Sequence, residues 1–251
     1  MSTTRAPNAA LLWTDYSRSL AEFGSLTLAW PILARAPRGD GHPVLVIPGL
    51  GASDASTVVL RRFLRQLGYA AHGWGLGTNL GPTAKAVQGM PDRLQSLAAK
   101  YGQPVTVIGW SLGGIFARRL VRSNPESVRQ VITLGSPIRL QKHRHSNARR
   151  FYNLWRTRHV EPLIMPLEDG LGPLPVPATS IYSRLDGIVA WQACLDISSD
   201  TAENIEVWGS HFGFGHHPAV LYAVADRLAQ RPGAWRPFRA PARLRYAFPR
   251  R

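Results

Sequence analysis

Hydrophobic and polar positions alternate along the chain in two patterns. Apolar runs of five to seven residues read as strands: VLVIP at 44–48, YAAHGW at 69–74, PVTVIGW at 104–110, RQVITL at 129–134, ATSIYS at 178–183 and NIEVW at 204–208. Between them lie stretches with apolar residues three and four apart, at 9–29, 55–67, 82–101, 112–123 and 218–230, which read as helices. In the first, Leu12, Tyr16, Leu20 and Phe23 form a stripe expected to pack on the sheet. Pro91 is expected to break or kink the third. Strands alternating with helices predict an α/β fold, with a mainly parallel sheet of about six strands and helices on both faces. Ligands of such sheets bind at the carboxyl ends of the strands, so candidate chemistry is sought there.

Composition adds one asymmetry. The 251 residues carry 30 Lys+Arg against 15 Asp+Glu, a net charge of +15. Residues 139–160 hold seven basic side chains and no acid, as do residues 231–251. The remainder is nearly neutral, with 16 basic against 15 acidic residues, which argues against a surface built to wrap nucleic acid. The single cysteine, Cys194, leaves no internal disulfide and suits a reducing, cytoplasmic setting. The longest apolar run, 26–34, is too short to span a bilayer, and no secretory signal is expected at the N-terminus.

The strand PVTVIGW runs directly into Gly109-Trp110-Ser111-Leu112-Gly113 and then a helix. That G-x-S-x-G setting lifts a serine hydroxyl above the sheet, and the flanking glycines remove Cβ clashes. A serine needs a base to take its proton and a carboxylate to orient that base. Downstream, Asp186 follows the strand at 178–183 and His211 follows the strand at 204–208. His216 is the rival base, and His217, ahead of Pro218, reads as a helix cap. Asp169, Asp196 and Asp200 are alternative acids that follow no strand so directly. After the first strand, Pro48-Gly49-Leu50-Gly51 makes a turn whose backbone can aim N–H groups at an oxyanion. Leu50 and Leu112 are the expected donors.

These segments, VLVIPGLGAS, VTVIGWSLGGIFAR, VITLGSPIR, SIYSRLDGIVAW and GSHFGFGHHPAVLYAVADRLA, resemble the α/β-hydrolase superfamily, within it the bacterial lipases and esterases. The resemblance covers residues 44–230. It implies a Ser–Asp–His mechanism with Ser111 as nucleophile, Asp186 as acid, His211 as base, and Leu50 and Leu112 at the oxyanion hole. Pro48 and Trp110 stand where lipases often carry histidine. No acidic cluster suggests the calcium site of some lipases, and no metal or organic cofactor is expected.

The whole chain then reads as one domain: an N-terminal helix at 9–29, a cap insertion at about 139–176 and a basic tail at 231–251. The cap's apolar residues, Leu163 to Met165 and Leu171 to Val176, would form an underside that selects apolar groups. His143, His145 and His159 read as surface histidines rather than metal ligands. The tail reads first as a solvated appendage, dispensable to turnover. Its interleaved Arg and aromatics also suit peripheral contact with an anionic membrane. The expected activity is hydrolysis of a small-molecule or lipid carboxylic ester. Acyl transfer by the same site and a non-catalytic binding module are the alternatives.

Overall fold

A computed structural model of the chain describes residues 6–139, 146–160, 172–196, 199–242 and 244–249. Its elements in chain order are α1 (Ala9–Leu33), β1 (Pro43–Ile47), α2 (Val58–Gln66), β2 (Ala70–Gly73), α3 (Ala84–Tyr101) and β3 (Val105–Trp110). There follow α4 (Leu112–Ser123), β4 (Val128–Leu134), α5 (Arg149–Leu154), β5 (Ala178–Tyr182), β6 (Ala202–Glu206) and α6 (Pro218–Leu228). The strands form one sheet in the order β2-β1-β3-β4-β5-β6, and every neighbouring pair is parallel. The chain steps outward from β1 to β2, then returns to lay β3 on the other side of β1. The strand order therefore reverses between β1 and β3. In such sheets ligands bind where the loops after these two strands diverge, at their carboxyl ends.

Alternation within the strands divides the core. Val44 and Val46 of β1, with Ile108, Ile132, Ile181 and Ile205, face α2 and α6. Leu45 and Ile47, with Val105, Val107 and Val131, face α3 and α4. Strands buried on both faces explain why β1 and β3 read as unbroken apolar runs.

Two prolines do not act as breakers. Pro31 lies in the last turn of α1, which continues to Leu33. α3 continues through Pro91, so the proline does not break it. Thr83 caps its start, Gly102 ends it in the left-handed region at φ 62°, and Met90, Leu94 and Leu97 anchor the turns around the proline in the core. That burial outweighs a cost of about 3 kcal/mol for the proline.

The tail differs more. Leu244 and Phe248 are buried in the core shared by α2 and α6, and Phe238 packs against it. The Phe238 N–H donates to Glu203 at 2.8 Å. Arg227, buried on α6, pairs with Glu203 and Asp226 and donates to the carbonyl of Arg236 at 2.7 Å. The expectation of a solvated appendage is therefore overturned. Phe238 and Phe248 are packing residues, their rings 4.9 Å apart, and Arg239 and Arg245 between them are exposed. Phe248→Ala should lower stability by about 3 kcal/mol, read from urea unfolding. An unchanged midpoint would return the tail to solvent.

Candidate active site

Ser111 sits at the turn from β3 into α4, with φ 53° and ψ −120°. Among the described residues it is the one non-glycine with positive φ. Such a conformation costs on the order of 1–3 kcal/mol and persists only where packing enforces it. The enforcement is visible. A Cβ on Gly109 would lie 2.2 Å from the Gly113 carbonyl oxygen, and one on Gly113 would lie 2.4 Å from that of Ile47. The Ser111 N–H donates to the Leu134 carbonyl at 2.8 Å, which continues the β3–β4 pairing into the turn.

The loop after β1 stands alongside. A Cβ on Gly49 would lie 3.3 Å from the Ser111 Cβ. Asn79 holds this loop: its carbonyl accepts from Gly51 at 2.7 Å, and its side-chain amide donates to Pro48 at 2.8 Å. The N–H of Leu50 has no acceptor among the described residues. Leu112 is the first residue of α4, so its N–H has no intrahelical acceptor either. Leu112 thus follows Ser111 directly, and Leu50 follows the glycine that packs against it.

Asp186, after β5, and His211, after β6, are brought together. Nδ1 of His211 donates to Oδ2 of Asp186 at 2.7 Å. Oδ1 accepts from the N–H groups of Ile188 and Val189 at 2.8 and 2.7 Å. This pairing sets the tautomer, leaving Nε2 as the basic nitrogen. Burial opposes charging of His211, but the charge and hydrogen bond of Asp186, with the charge of Asp15, raise its pKa above the ordinary 6.5.

The rivals are otherwise engaged. His216 turns toward α1, its Nε2 2.9 Å from the Ser19 carbonyl, and burial lowers its pKa. His217 caps α6 by accepting from Ala219, and burial lowers it to about 4. Asp196 pairs with the buried Arg118 at 2.5 Å. Asp200 is exposed, and Asp169 lies outside the described residues. A second Asp–His–hydroxyl chain exists, with Asp40 against Nδ1 of His42 at 2.5 Å and Thr106 against its Nε2 at 3.0 Å. It joins the amino ends of β1 and β3, and its histidine and threonine are fully buried, so no substrate reaches it.

Three contributors carry no sequence motif. Asp15 of α1, fully buried, accepts from the backbone N–H groups of Gly187 at 2.8 Å, His211 at 3.0 Å and Phe212 at 3.0 Å. One carboxylate thereby ties the acid loop to the base loop. One helical repeat later, Glu22 accepts from the N–H and hydroxyl of Ser210, both at 2.7 Å. Burial holds the Glu22 pKa above the usual carboxylate range despite those bonds. The indole of Trp110 donates to the His211 carbonyl at 3.2 Å, linking the residue before Ser111 to the base loop. The available signal was the pair of acids seven residues apart on one helix face.

Part of the cap insertion is described. Asn147 bonds the Ile188 and Gly187 carbonyls of the acid loop. At its far end, the His159 Nε2 donates to Leu80 at 2.8 Å and the Val160 N–H to Pro82 at 3.1 Å. The Trp155 ring covers Gly51. The segment thus runs from the acid loop to the loop beside the oxyanion donors. Leu174 and Val176 enter the core against α3 and α4, so they do not line a cap underside as expected. His143, His145, Leu163 to Met165 and Leu171 lie outside the described residues.

The six-stranded parallel sheet with its flanking helices is shared with solved structures. The chain matches Aspergillus fumigatus lipase B with a TM-score of 0.60 at 17% identity, over 77% of this chain and 54% of the lipase. The chain has the α/β-hydrolase fold. It also matches mouse α/β hydrolase domain-containing protein 10 (TM-score 0.51, 19% identity, 77% of this chain and 92% of that one). A pyrethroid hydrolase, PytH, matches with a TM-score of 0.52 at 17% identity, over 74% and 97%. The chain thus spans about half the length of the fungal lipase. No protein-family model matches the sequence, and no curated protein does. Within this hydrolase fold, α1 with Asp15 and Glu22 is what steadies the two loops after β5 and β6.

Asp15→Asn should lower stability by about 3 kcal/mol in urea unfolding, since three buried donors lose a charged acceptor. It should also lower the pKa of His211 in an NMR titration of the folded variant. An unshifted titration would show that Asp15 acts on neither.

Proposed function

We propose that the chain is a serine hydrolase acting on carboxylic esters with an apolar acyl part. The observation that carries this reading is the buried His211–Asp186 pair on the carboxyl edge of the sheet that holds Ser111 at positive φ. Ser111 Oγ attacks the ester carbonyl carbon while Nε2 of His211 takes its proton. Asp186 steadies the imidazolium, and the N–H groups of Leu50 and Leu112 bind the oxyanion. The tetrahedral adduct collapses, the carbon–oxygen bond to the alcohol breaks, and the alcohol leaves with the proton from His211. Water, deprotonated by His211, then attacks the acyl-enzyme and releases the acid and Ser111. Trp155 over Gly51 and the half-buried Leu50 offer the acyl chain an apolar wall.

A fluorophosphonate should label the wild type and not Ser111→Ala; an unlabelled wild type would leave a binding module on a hydrolase scaffold. His211→Ala should cost at least ~10³-fold in kcat on short nitrophenyl esters, and His216→Ala far less. If the order reverses, the base is His216. The raised pKa of His211 fixes the sign of the pH dependence. Activity needs neutral imidazole, so kcat/KM should rise through an acid limb centred above about pH 6.5. In Asp186→Asn that limb should move down, as the partner charge is gone. A limb below 6 in the wild type would contradict the pairing.

A further inference from the structure

α1 is built inside out. Its buried face is polar in the first half, with Asp15, Ser19 and Glu22 turned into the loops after β5 and β6. Its second half rests Leu26, Ala29, Ile32 and Leu33 on the core. The expected stripe of Tyr16, Leu20 and Phe23 faces solvent instead, because three backbone N–H groups need the Asp15 carboxylate and only one helix face can turn inward. Trp13 is 83% exposed, Tyr16 65%, Leu20 57%, Phe23 53% and Leu28 85%. Trp30, two residues after Leu28, is 41% exposed.

The rest of that face is as unusual as the stripe. The other exposed positions of α1 hold Ala, Ser, Thr, Gly and Pro, so none of its exposed residues is charged. An ordinary surface helix carries its charges outward. Here the three charged residues of the helix, Asp15, Arg18 and Glu22, all lie toward the body. The helix is about 37 Å long, and Trp13 and Trp30 stand near its two ends. Phe212, 45% exposed and next to His211, extends the patch with its ring 6.4 Å from Tyr16. No described helix is long and apolar enough to cross a membrane.

We propose that the outer face of α1 docks on an anionic bilayer and lies flat in its interface. Trp and Tyr at the edges of an apolar stripe suit the headgroup boundary, where one end of the ring is dry and the other wet. An interfacial helix ordinarily turns a basic face to water; α1 turns its polar face to the protein. The attraction to anionic lipid comes from the whole chain at +15 and from the exposed Arg35 and Arg38 just beyond the helix. The same charge opposes pairing two copies through this face, which offers no exposed acid to complement them. The tail is not the docking element, since Leu244 and Phe248 are spent on the core. Docking holds the base loop at the lipid surface, with Phe212 in the contact.

The test uses full-length Ser111→Ala, so that hydrolysis plays no part and failure of the ester reading leaves this result standing. Co-sedimentation with vesicles of mixed phosphatidylcholine and phosphatidylglycerol should show binding that weakens with salt and is much weaker on phosphatidylcholine alone. Adding Trp13→Ser, Leu20→Ser and Leu28→Ser, all outward-facing, should leave the cooperative melting transition in place and cut partitioning by about a hundredfold. Equal binding by that variant would overturn the proposal, as would a protein that binds no vesicle. A concentration-dependent dimer in sedimentation equilibrium, lost in the variant, with no vesicle binding, would assign the face to a second copy.

Discussion

The carboxylate of Asp15 takes three backbone N–H groups from two loops that the sheet supports only at their roots. β5 and β6 bring the loops holding Asp186 and His211 to the same edge, but parallel strands fix nothing beyond their last hydrogen bonds. Gly187 beside the acid, and His211 and Phe212 at the base, point their donors to one buried point. A negative charge there is held by charged hydrogen bonds, each stronger than a neutral one. It also raises the proton affinity of His211 from the side opposite Asp186. The geometry of the pair and its titration thus rest on a helix from the other end of the chain.

The elbow is the second constraint, and it works by exclusion. Glycines at 109 and 113 let β3, β1 and α4 approach closely enough that Ser111 has no relaxed alternative. The strain is confined to one residue, at the point where the strand order reverses. The Asp40–His42–Thr106 chain shows what such linkage means without this setting. It has the same kinds of atoms at the opposite edge, with His42 and Thr106 buried between strands and Asp40 exposed, and serves as a polar joint.

All six strands were legible in the sequence to within two residues at their starts and ends; the four central ones are buried throughout or nearly so and read as apolar runs. That Ser111, Asp186 and His211 lie at one edge was legible because each follows a strand of the same parallel sheet. α1 was misread for a physical reason: periodicity reports which residues share a face, not which face turns inward. The usual assumption that the apolar face does so failed against three buried backbone donors. Pro91 misled because propensity is local and the anchoring of Met90 and Leu94 is not. The tail misled because its arginines dominate its composition while two apolar residues, Leu244 and Phe248, decide where it lies.

The span of the Asp15 contacts has a consequence for how the molecule comes into being. Residue 15 is synthesised long before residues 187, 211 and 212, so its carboxylate must wait for these partners while the intervening chain is made. Contacts of such separation form late, after the closure entropy of the intervening chain has been overcome. During that interval the apolar stripe and the buried-to-be carboxylates share one solvated helix. Only when the loop after β6 has emerged can α1 settle, and the same event aligns the histidine with its acid. Closure of the Asp15 contacts and alignment of the loops that carry Asp186 and His211 are therefore one event.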